Sequence, residues 1–454
     1  MEDTIIAIST PFGYGGLGIV RLSGKKSLVI AKKLFKTKKS KAKILPRRPI
    51  LGNLYNFEQR EFFEEGYLTY FPQPHTYTRE NVVEISCHGS PILLEEIVRL
   101  GIKAGARHAN PGEFTLRAYL NGRIDILQAE AVNDLIQAAS LQQAKISFKQ
   151  LQGSLSRKIL NLRKKIINLT SQIEASLEFP EDNLRISPLK ISKAMDKTIQ
   201  SINKLIESYK LGQTLREGIK LAITGRANVG KSTLFNSLLQ QDRAIVTPYP
   251  GTTRDYLQER LSIKEAIFYI IDMAGLTNSP HPIEREGIRR GKKLAAQADG
   301  ILLLFDTSRQ ETPEDLKLLS QYKNKKLVVV FNKIDLPLKI NKNKILNQAK
   351  NIPAVDISAL KGTNLEKLKE LIHKIFVPSP NQEQEVILHL HQKLLLEEIL
   401  SCLARGRDLL DQGYSEEFYV EEIRKAISFM AQLTGEIKAD EIIDNIFSRF
   451  CVGK

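Results

Sequence analysis

Gly225-Arg226-Ala227-Asn228-Val229-Gly230-Lys231-Ser232 fits the spacing G-x-x-x-x-G-K-[ST], following a β-type run, Ile219 to Thr224, and opening a helical one. Strand, glycine loop and helix in that order are the context this spacing needs, because backbone amides at a helix N-terminus then cradle phosphate oxygens. Lys231 meets the β- and γ-phosphates there and Ser232 a Mg²⁺ ion. Further β-type runs follow at Ile267 to Ile271, Ile301 to Phe305 and Leu327 to Phe331, with helical stretches between them. That alternation predicts a doubly wound parallel sheet from Gly218 to about Phe376.

Three more segments in this region carry nucleotide chemistry. Asp272-Met273-Ala274-Gly275 closes the run Phe268 to Ile271, where a carboxylate reaches the Mg²⁺ shell and a glycine amide meets the γ-phosphate. Asn332-Lys333-Ile334-Asp335 follows Leu327 to Phe331, and an aspartate there accepts hydrogen bonds from N1–H and N2–H₂ of guanine. Adenine has no such donor pair, so the nucleotide is GTP. Ser358-Ala359-Leu360 supports the base from the other side. A Ras-type site orients water with a glutamine just after D-x-x-G, but Leu276 stands at that position. Two candidates replace it: Glu284, orienting water through an intermediary, and a cation held by Asn228 in place of an arginine finger. Taken alone, Glu284 reads by default as a solvated helix residue.

A length of 454 residues leaves room for about three domains, so the GTP-binding region is one part of a larger whole. Hydrophobic residues at 42% and charged residues at 26% exclude a wholly disordered, collagen-like or integral-membrane chain. Lys+Arg 67 against Asp+Glu 51 gives a formal net charge of +16, which favours a polyanionic partner. Eleven Lys/Arg and no acid lie between Lys25 and Arg48, as in a patch facing nucleic acid or a solvated loop. Cys87, Cys402 and Cys451 are scattered and form no C-x-x-C pair, against a disulfide framework or zinc finger and in favour of a reducing cytoplasm. The acidic start Met1-Glu2-Asp3-Thr4 and the shortness of apolar runs such as Ile301 to Phe305 complete the expectation of a cytoplasmic protein.

Before the GTP-binding region, β-type runs at Thr4 to Ile8, Gly18 to Leu22 and Val82 to Ser86 mix with Gly/Pro turns, predicting an α+β domain. Asn121-Gly122 is a helix stop, and Asp125 with Gln128 forms an N-cap and capping box. Leu155, Ile159, Leu162, Ile166, Leu169 and Ile173 make the apolar seam of a packed helix. Pro180 and Pro188 mark a break, after which helical character resumes to about Leu211. Beyond Pro378 and Pro380 the helical pattern returns, with Ile423, Ile427, Met430 and Leu433 on one face before Thr434-Gly435. Helices on both sides of an α/β region predict that it is inserted into a helical domain.

Pro111-Gly112-Glu113-Phe114-Thr115 with Asn121-Gly122-Arg123-Ile124-Asp125 and Gln128-Ala129-Glu130-Ala131, the segment Gly251-Thr252-Thr253-Arg254-Asp255, and the ending Cys451-Val452-Gly453-Lys454 together resemble the MnmE/TrmE family of tRNA modification GTPases. The likeness covers essentially the whole chain. It implies a multidomain protein: an α+β N-terminal folate-binding and dimerisation domain over 1–122, a discontinuous α-helical domain over 123–214 and 379–454, and an inserted α/β P-loop GTPase domain over 215–378. Carried over residue by residue, folate falls to Arg21, Glu84, Arg123 and Lys454, although the family often has Lys where this chain has Arg123. K⁺ falls to Asn228, Thr247, Tyr249 and Thr252, Mg²⁺ to Ser232 and Thr253, and the catalytic carboxylate to Glu284. GTP contacts extend over Asn228-Val229-Gly230-Lys231-Ser232-Thr233 and Thr247-Pro248-Tyr249-Pro250-Gly251-Thr252-Thr253, as well as the three segments above. Met273 departs from the family's usual Thr. Cys451 is a candidate participant in one-carbon chemistry, or an ordinary buried small side chain.

The resemblance further implies a homodimer that joins an FAD-dependent flavoprotein of the MnmG/GidA type in a heterotetramer, with tRNA as substrate and no membrane. The reaction it implies adds a carboxymethylaminomethyl or aminomethyl group at C5 of the wobble uridine, position 34, using 5,10-methylenetetrahydrofolate or a related folate. A rival reading is a regulatory RNA-binding GTPase of the ribosome-assembly type, with no modification chemistry.

Overall fold

Val20, Leu22, Val83 and Ile85 are buried and alternate with Arg21 and Glu84, the two-residue period of a sheet with distinct faces. The computed structural model describes residues 3–38, 43–178, 186–242, 258–264, 266–272, 298–349, 351–377, 385–437, 446–448 and 450–453. They form two units: Met1–Ile136, Phe148–Gln200 and Leu395–Lys454 in the first, Gln137–Ser147 and Ser201–Leu394 in the second.

The first unit holds a seven-stranded sheet of β1 (Ile5–Ile8), β2 (Gly15–Ser23), β3 (Phe35–Thr37), β4 (Ile50–Asn56), β5 (Glu61–Phe71), β6 (Val82–Gly89) and β7 (Arg107–His108). Their order is β3-β4-β5-β6-β2-β1-β7. All neighbours are antiparallel except β1 and β7. Helices Ser27–Leu34 and Pro91–Lys103 bury Ile30, Leu34, Leu94 and Ile97 against Val20, Leu22, Val83 and Ile85. Ile5 and Ala7 pack on the opposite face against Ala109 and Phe114. Arg117 of helix Glu113–Leu120 is 1% exposed and donates to Asp3 Oδ1 at 2.8 Å, Glu113 Oε1 at 2.9 Å and Glu80 Oε2 at 3.1 Å. β4 and β5 went unread in the sequence because a bulge between Leu54 and Tyr55 breaks their alternation and Glu61, Glu64 and Glu65 interrupt β5.

The helical part of this unit follows local rules. Asp125 N–H donates to Gln128 Oε1 at 3.0 Å and Gln128 N–H returns a bond to Asp125 Oδ1 at 2.8 Å, opening helix Ile126–Ile136 with the expected box. The six seam residues of helix Ser154–Glu178 are all buried. Helix Glu416–Thr434 runs beside it, with Arg424 Nε donating to Glu174 Oε1 at 2.9 Å, and stops at Gly435 with φ 78°. Helix Pro188–Glu217 begins at its proline, which needs no N–H there, and runs past Leu211 until Gly218 at φ 75° turns the chain.

The second unit carries a six-stranded sheet in the order β13-β12-β11-β8-β10-β9. Its strands are β8 (Ile219–Thr224), β9 (Gln258–Ile263), β10 (Ala266–Asp272), β11 (Gly300–Asp306), β12 (Leu327–Asn332) and β13 (Ala354–Asp356). Five run parallel as the alternation predicts, while β9 is an antiparallel edge, a strand whose polar start Gln258-Glu259-Arg260 hid it in the sequence. Apolar layers cover both faces, Leu234, Leu238, Leu368 and Ile372 on one and Leu319 and Ile345 on the other. This explains why β11 and β12 are buried at every position.

Candidate functional site

Parallel registers bring the strand ends of the second unit to one edge: Asp272 opposes Ile223, Thr224 opposes Leu303, and Asp306 opposes Asn332. Loops leaving that edge, where the chain turns outward to both sides of β8, are where an open α/β sheet takes its ligand. The glycine loop after β8 is shaped by close approaches. A Cβ on Gly225, at φ 149°, would lie 2.6 Å from Leu304 O, and one on Gly230, at φ 98°, would lie 2.3 Å from Asn332 Nδ2. Helix Lys231–Asp242 follows, so its first N–H groups face the loop. Lys231 folds back over this loop, its Nζ donating to Gly225 O at 3.0 Å and Arg226 O at 2.7 Å. An incoming phosphate replaces those two carbonyls with a charged acceptor.

Asn332 and Lys333 fasten the base loop to the phosphate loop. Asn332 Nδ2 donates to Val229 O at 2.8 Å and its Oδ1 accepts from Ala359 N at 2.9 Å. Lys333, in a left-handed conformation at φ 68°, donates to Asn228 O and to Asp306 Oδ2, each at 2.7 Å. Burial pushes the Asp306 carboxyl up, but hydrogen bonds from Lys333 and Ser308 outweigh it and hold the group below its ordinary value. Asp335 follows two residues after Lys333, beside Ser358. A hydrogen bond from Ser358 lowers its carboxyl below the usual range, so it is a charged acceptor at neutral pH. Ser237 Oγ, on the helix after the glycine loop, donates to Ala359 O at 2.7 Å, while Leu360 points outward at 78% exposure.

Asp306 and Arg226 were missed in the sequence. Asp306 ends a strand as Asp272 and Asn332 do, a signal that was available. Arg226 reaches Glu314 Oε2 at 3.2 Å and Asp315 Oδ2 at 3.4 Å at the start of helix Pro313–Tyr322, contacts with no local signature. Ser232 and Thr233 begin the helix after the loop. Thr247, Pro248, Tyr249, Pro250, Gly251, Thr252, Thr253, Met273, Ala274, Gly275, Leu276 and Glu284 lie outside the described residues.

A second cluster lies in the first unit, on the sheet face opposite helices Ser27–Leu34 and Pro91–Lys103. Arg21 and Glu84 are register partners, and Arg21 donates to Glu84 Oε1 from Nε at 2.9 Å and Nη2 at 2.7 Å. The Arg21 guanidinium lies 5.8 Å from the Phe114 ring centre, and that of Arg123 lies 5.1 Å from Tyr77 and donates to Thr76 O at 2.6 Å. Burial raises the Tyr77 phenol, opposed by its hydrogen bond with Thr115 and by the charges of Arg123 and Arg21. Each cation thus faces an aromatic ring of this cluster. Sequence reading placed Arg21, Glu84 and Arg123 here but missed Tyr77, whose partners come from distant turns.

The tail docks on the same unit. Phe447 and Phe450 are buried and stacked with centroids 5.4 Å apart. Gly112 N–H donates to Cys451 O at 3.4 Å, and Ser9 Oγ donates to Gly453 O at 3.2 Å. Cys451 is exposed, which removes its reading as a buried core thiol. Lys454 lies outside the described residues. Among the described residues, no helix is long and apolar enough to cross a membrane.

Two family models match the chain: "GTP-binding protein TrmE N-terminus" over residues 4–123 and "MnmE helical domain" over residues 126–451. Aquifex aeolicus has a relative named tRNA modification GTPase MnmE that is 41% identical over 456 residues, covering 100% of both chains. Relatives of the same name from Koribacter versatilis and a Thermoanaerobacter species are each 38% identical over 457 residues, covering 100% of this chain and 100% and 99% of theirs.

Proposed function

The chain belongs to the MnmE family of tRNA modification GTPases, and from that premise we propose that it hydrolyses GTP in the course of modifying tRNA. The observation that carries the GTPase assignment is the Asn332 and Lys333 staple, which holds Asp335 at a fixed offset from the phosphate loop. Guanine is selected by the carboxylate of Asp335, phosphate is held by Lys231 and the loop amides, and Ser232 with Thr253 is the proposed Mg²⁺ pair. The ion supplies charge neutralisation at the phosphates. With Leu276 in the glutamine position, water is oriented by Glu284, and K⁺ on Asn228, Thr247, Tyr249 and Thr252 stands in for an arginine finger.

In finer terms, the product is a carboxymethylaminomethyl or aminomethyl group at C5 of the wobble uridine, made with an FAD-dependent flavoprotein of the MnmG/GidA type. The domains are those of the family: 1–122 for folate and dimerisation, 123–214 with 379–454 helical, and 215–378 for GTP. Arg21 and Arg123 offer paired cations for folate carboxylates, and Phe114 and Tyr77 offer apolar faces for a planar ring. Cys451 is exposed beside Gly112, two residues ahead of Phe114, which suits a thiol that takes part in one-carbon transfer. The cell compartment proposed is the cytoplasm. Mass spectrometry of wobble uridines in tRNA from cells lacking the protein tests the function. The modified uridine disappears if the proposal holds, and an unchanged uridine in cells without the gene overturns it.

A further inference from the structure

We propose that the cations between Lys25 and Arg48 form a docking surface for the phosphate backbone of RNA, resting on the assignment of tRNA as substrate. No Asp or Glu occurs from Thr4 to Phe57, so this stretch carries one sign of charge only. Of the eleven Lys/Arg between Lys25 and Arg48, Lys39 and Lys41 lie outside the described residues, and the other nine are all exposed. Lys32 and Lys33 sit on helix Ser27–Leu34 and Lys36 on β3, while Lys25, Lys26, Lys38, Lys43, Arg47 and Arg48 lie in the turns and loops around them. Lys25 and Lys26 precede helix Ser27–Leu34, which is anchored by buried Ile30, Ala31 and Leu34. Lys36 sits on the edge strand β3 with its Nζ 5.4 Å from the Tyr55 ring centre. Past β3, Arg47 N–H donates to Tyr70 O at 2.7 Å, which fixes the turn that presents Arg48.

Among the described residues, Lys38 with Glu65 is the one ion pair to a carboxylate made by the cations between Lys25 and Arg48. The neighbouring helix Pro91–Lys103 is treated differently: Arg99 is held by Glu58 and Glu96, and Lys103 by Glu58. Local needs account for part of the charge. Lys32 and Lys33 suit the negative end of their helix, and Lys36 on β3 deters edge pairing. Lys25 and Lys26 have no such reason, since cations at a helix N-terminus oppose its dipole. Positive charge set there against the local field fits an anion supplied from outside. Exposed cations spread over a helix, an edge strand and the turns beside them suit a polymer of phosphates more than a single anion, and lysine serves as a point-charge partner for them.

The test titrates the full chain with tRNA at several KCl concentrations, comparing it with a Lys25→Gln, Lys26→Gln, Lys32→Gln, Arg48→Gln variant. The expected result is a fall in tRNA affinity of about tenfold or more at 0.1 M salt, with the slope of log K against log salt reduced by about three. GTP turnover and melting temperature stay unchanged. The lysines replaced by arginine, with Arg48→Lys, retain tRNA affinity, which separates charge from folding. An unchanged salt slope in the glutamine variant overturns the surface while leaving tRNA as the substrate. Failure of the unaltered protein to bind tRNA overturns both. Loss of binding to phosphatidylserine vesicles, with tRNA binding intact, assigns the surface to a membrane instead.

Discussion

Single residues decide base choice and acid stability. Asp335 is held charged by Ser358, and an amide there loses the carboxylate proposed to accept both guanine donors. Asp335→Asn is expected to weaken GTP binding by about tenfold or more and to favour xanthosine triphosphate, read by nucleotide competition. Arg117 decides the other property. Burial alone lifts Glu113, but hydrogen bonds from Arg107, the Asn110 N–H and Arg117 outweigh it and hold the carboxyl below 4.5. A depressed folded value means that this pairing stabilises the fold fully above pH 4.5 and is lost as pH falls through the folded value. Arg117→Met removes one of the two guanidinium partners of buried Glu113 and is expected to cost ~3 kcal/mol at pH 7. The deficit should shrink as pH falls below 4.5 toward the depressed folded value, where the carboxyl protonates in the intact protein too. Denaturant melts at both pH values check the sign, and equal deficits would count against it.

At the scale of elements, what the sequence displayed was local and what it hid was distant. The Asp125 and Gln128 box and the Leu155 to Ile173 seam involve neighbours within a turn or two, so spacing alone revealed them. The GTP motifs were legible because each is a continuous segment. Asn332 as a staple was not, since its carbonyl partner Val229 lies 103 residues away. Nor was the docking of the tail on Ser9 at the end of β1, a contact spanning 444 residues. That docking makes a prediction. Gly453 has φ 96°, and a Cβ there would lie 2.0 Å from Ile8 O. Gly453→Ala should dislodge the tail and abolish uridine modification in a reconstitution with the flavin partner, folate and tRNA, with GTP turnover intact. Normal modification by this variant would show that the tail position is dispensable.

For the whole molecule, the proposed replacement of an arginine finger by a cation sets the working conditions. Turnover of GTP should fall by about 10³-fold when Na⁺ replaces K⁺ at matched ionic strength, ~4 kcal/mol of barrier. Equal rates in the two salts would sink the cation proposal. Turnover per molecule should also rise with protein concentration, as expected of a homodimer whose facing subunit orders the cation loop. A concentration-independent rate would remove the dimer from catalysis.

The packing of helix Ser154–Glu178 against helix Glu416–Thr434 also has a consequence in time. Ser176 meets Glu416 across 240 residues, and the whole GTP-binding sheet is encoded between them. A ribosome adding ~5–20 residues per second takes on the order of 10–50 s to supply the second helix after the first has emerged. Most of that interval is spent making the GTP-binding unit itself, whose last strand ends at Asp356, so the apolar seam of the first helix waits through the synthesis of a whole inserted unit before its partner arrives.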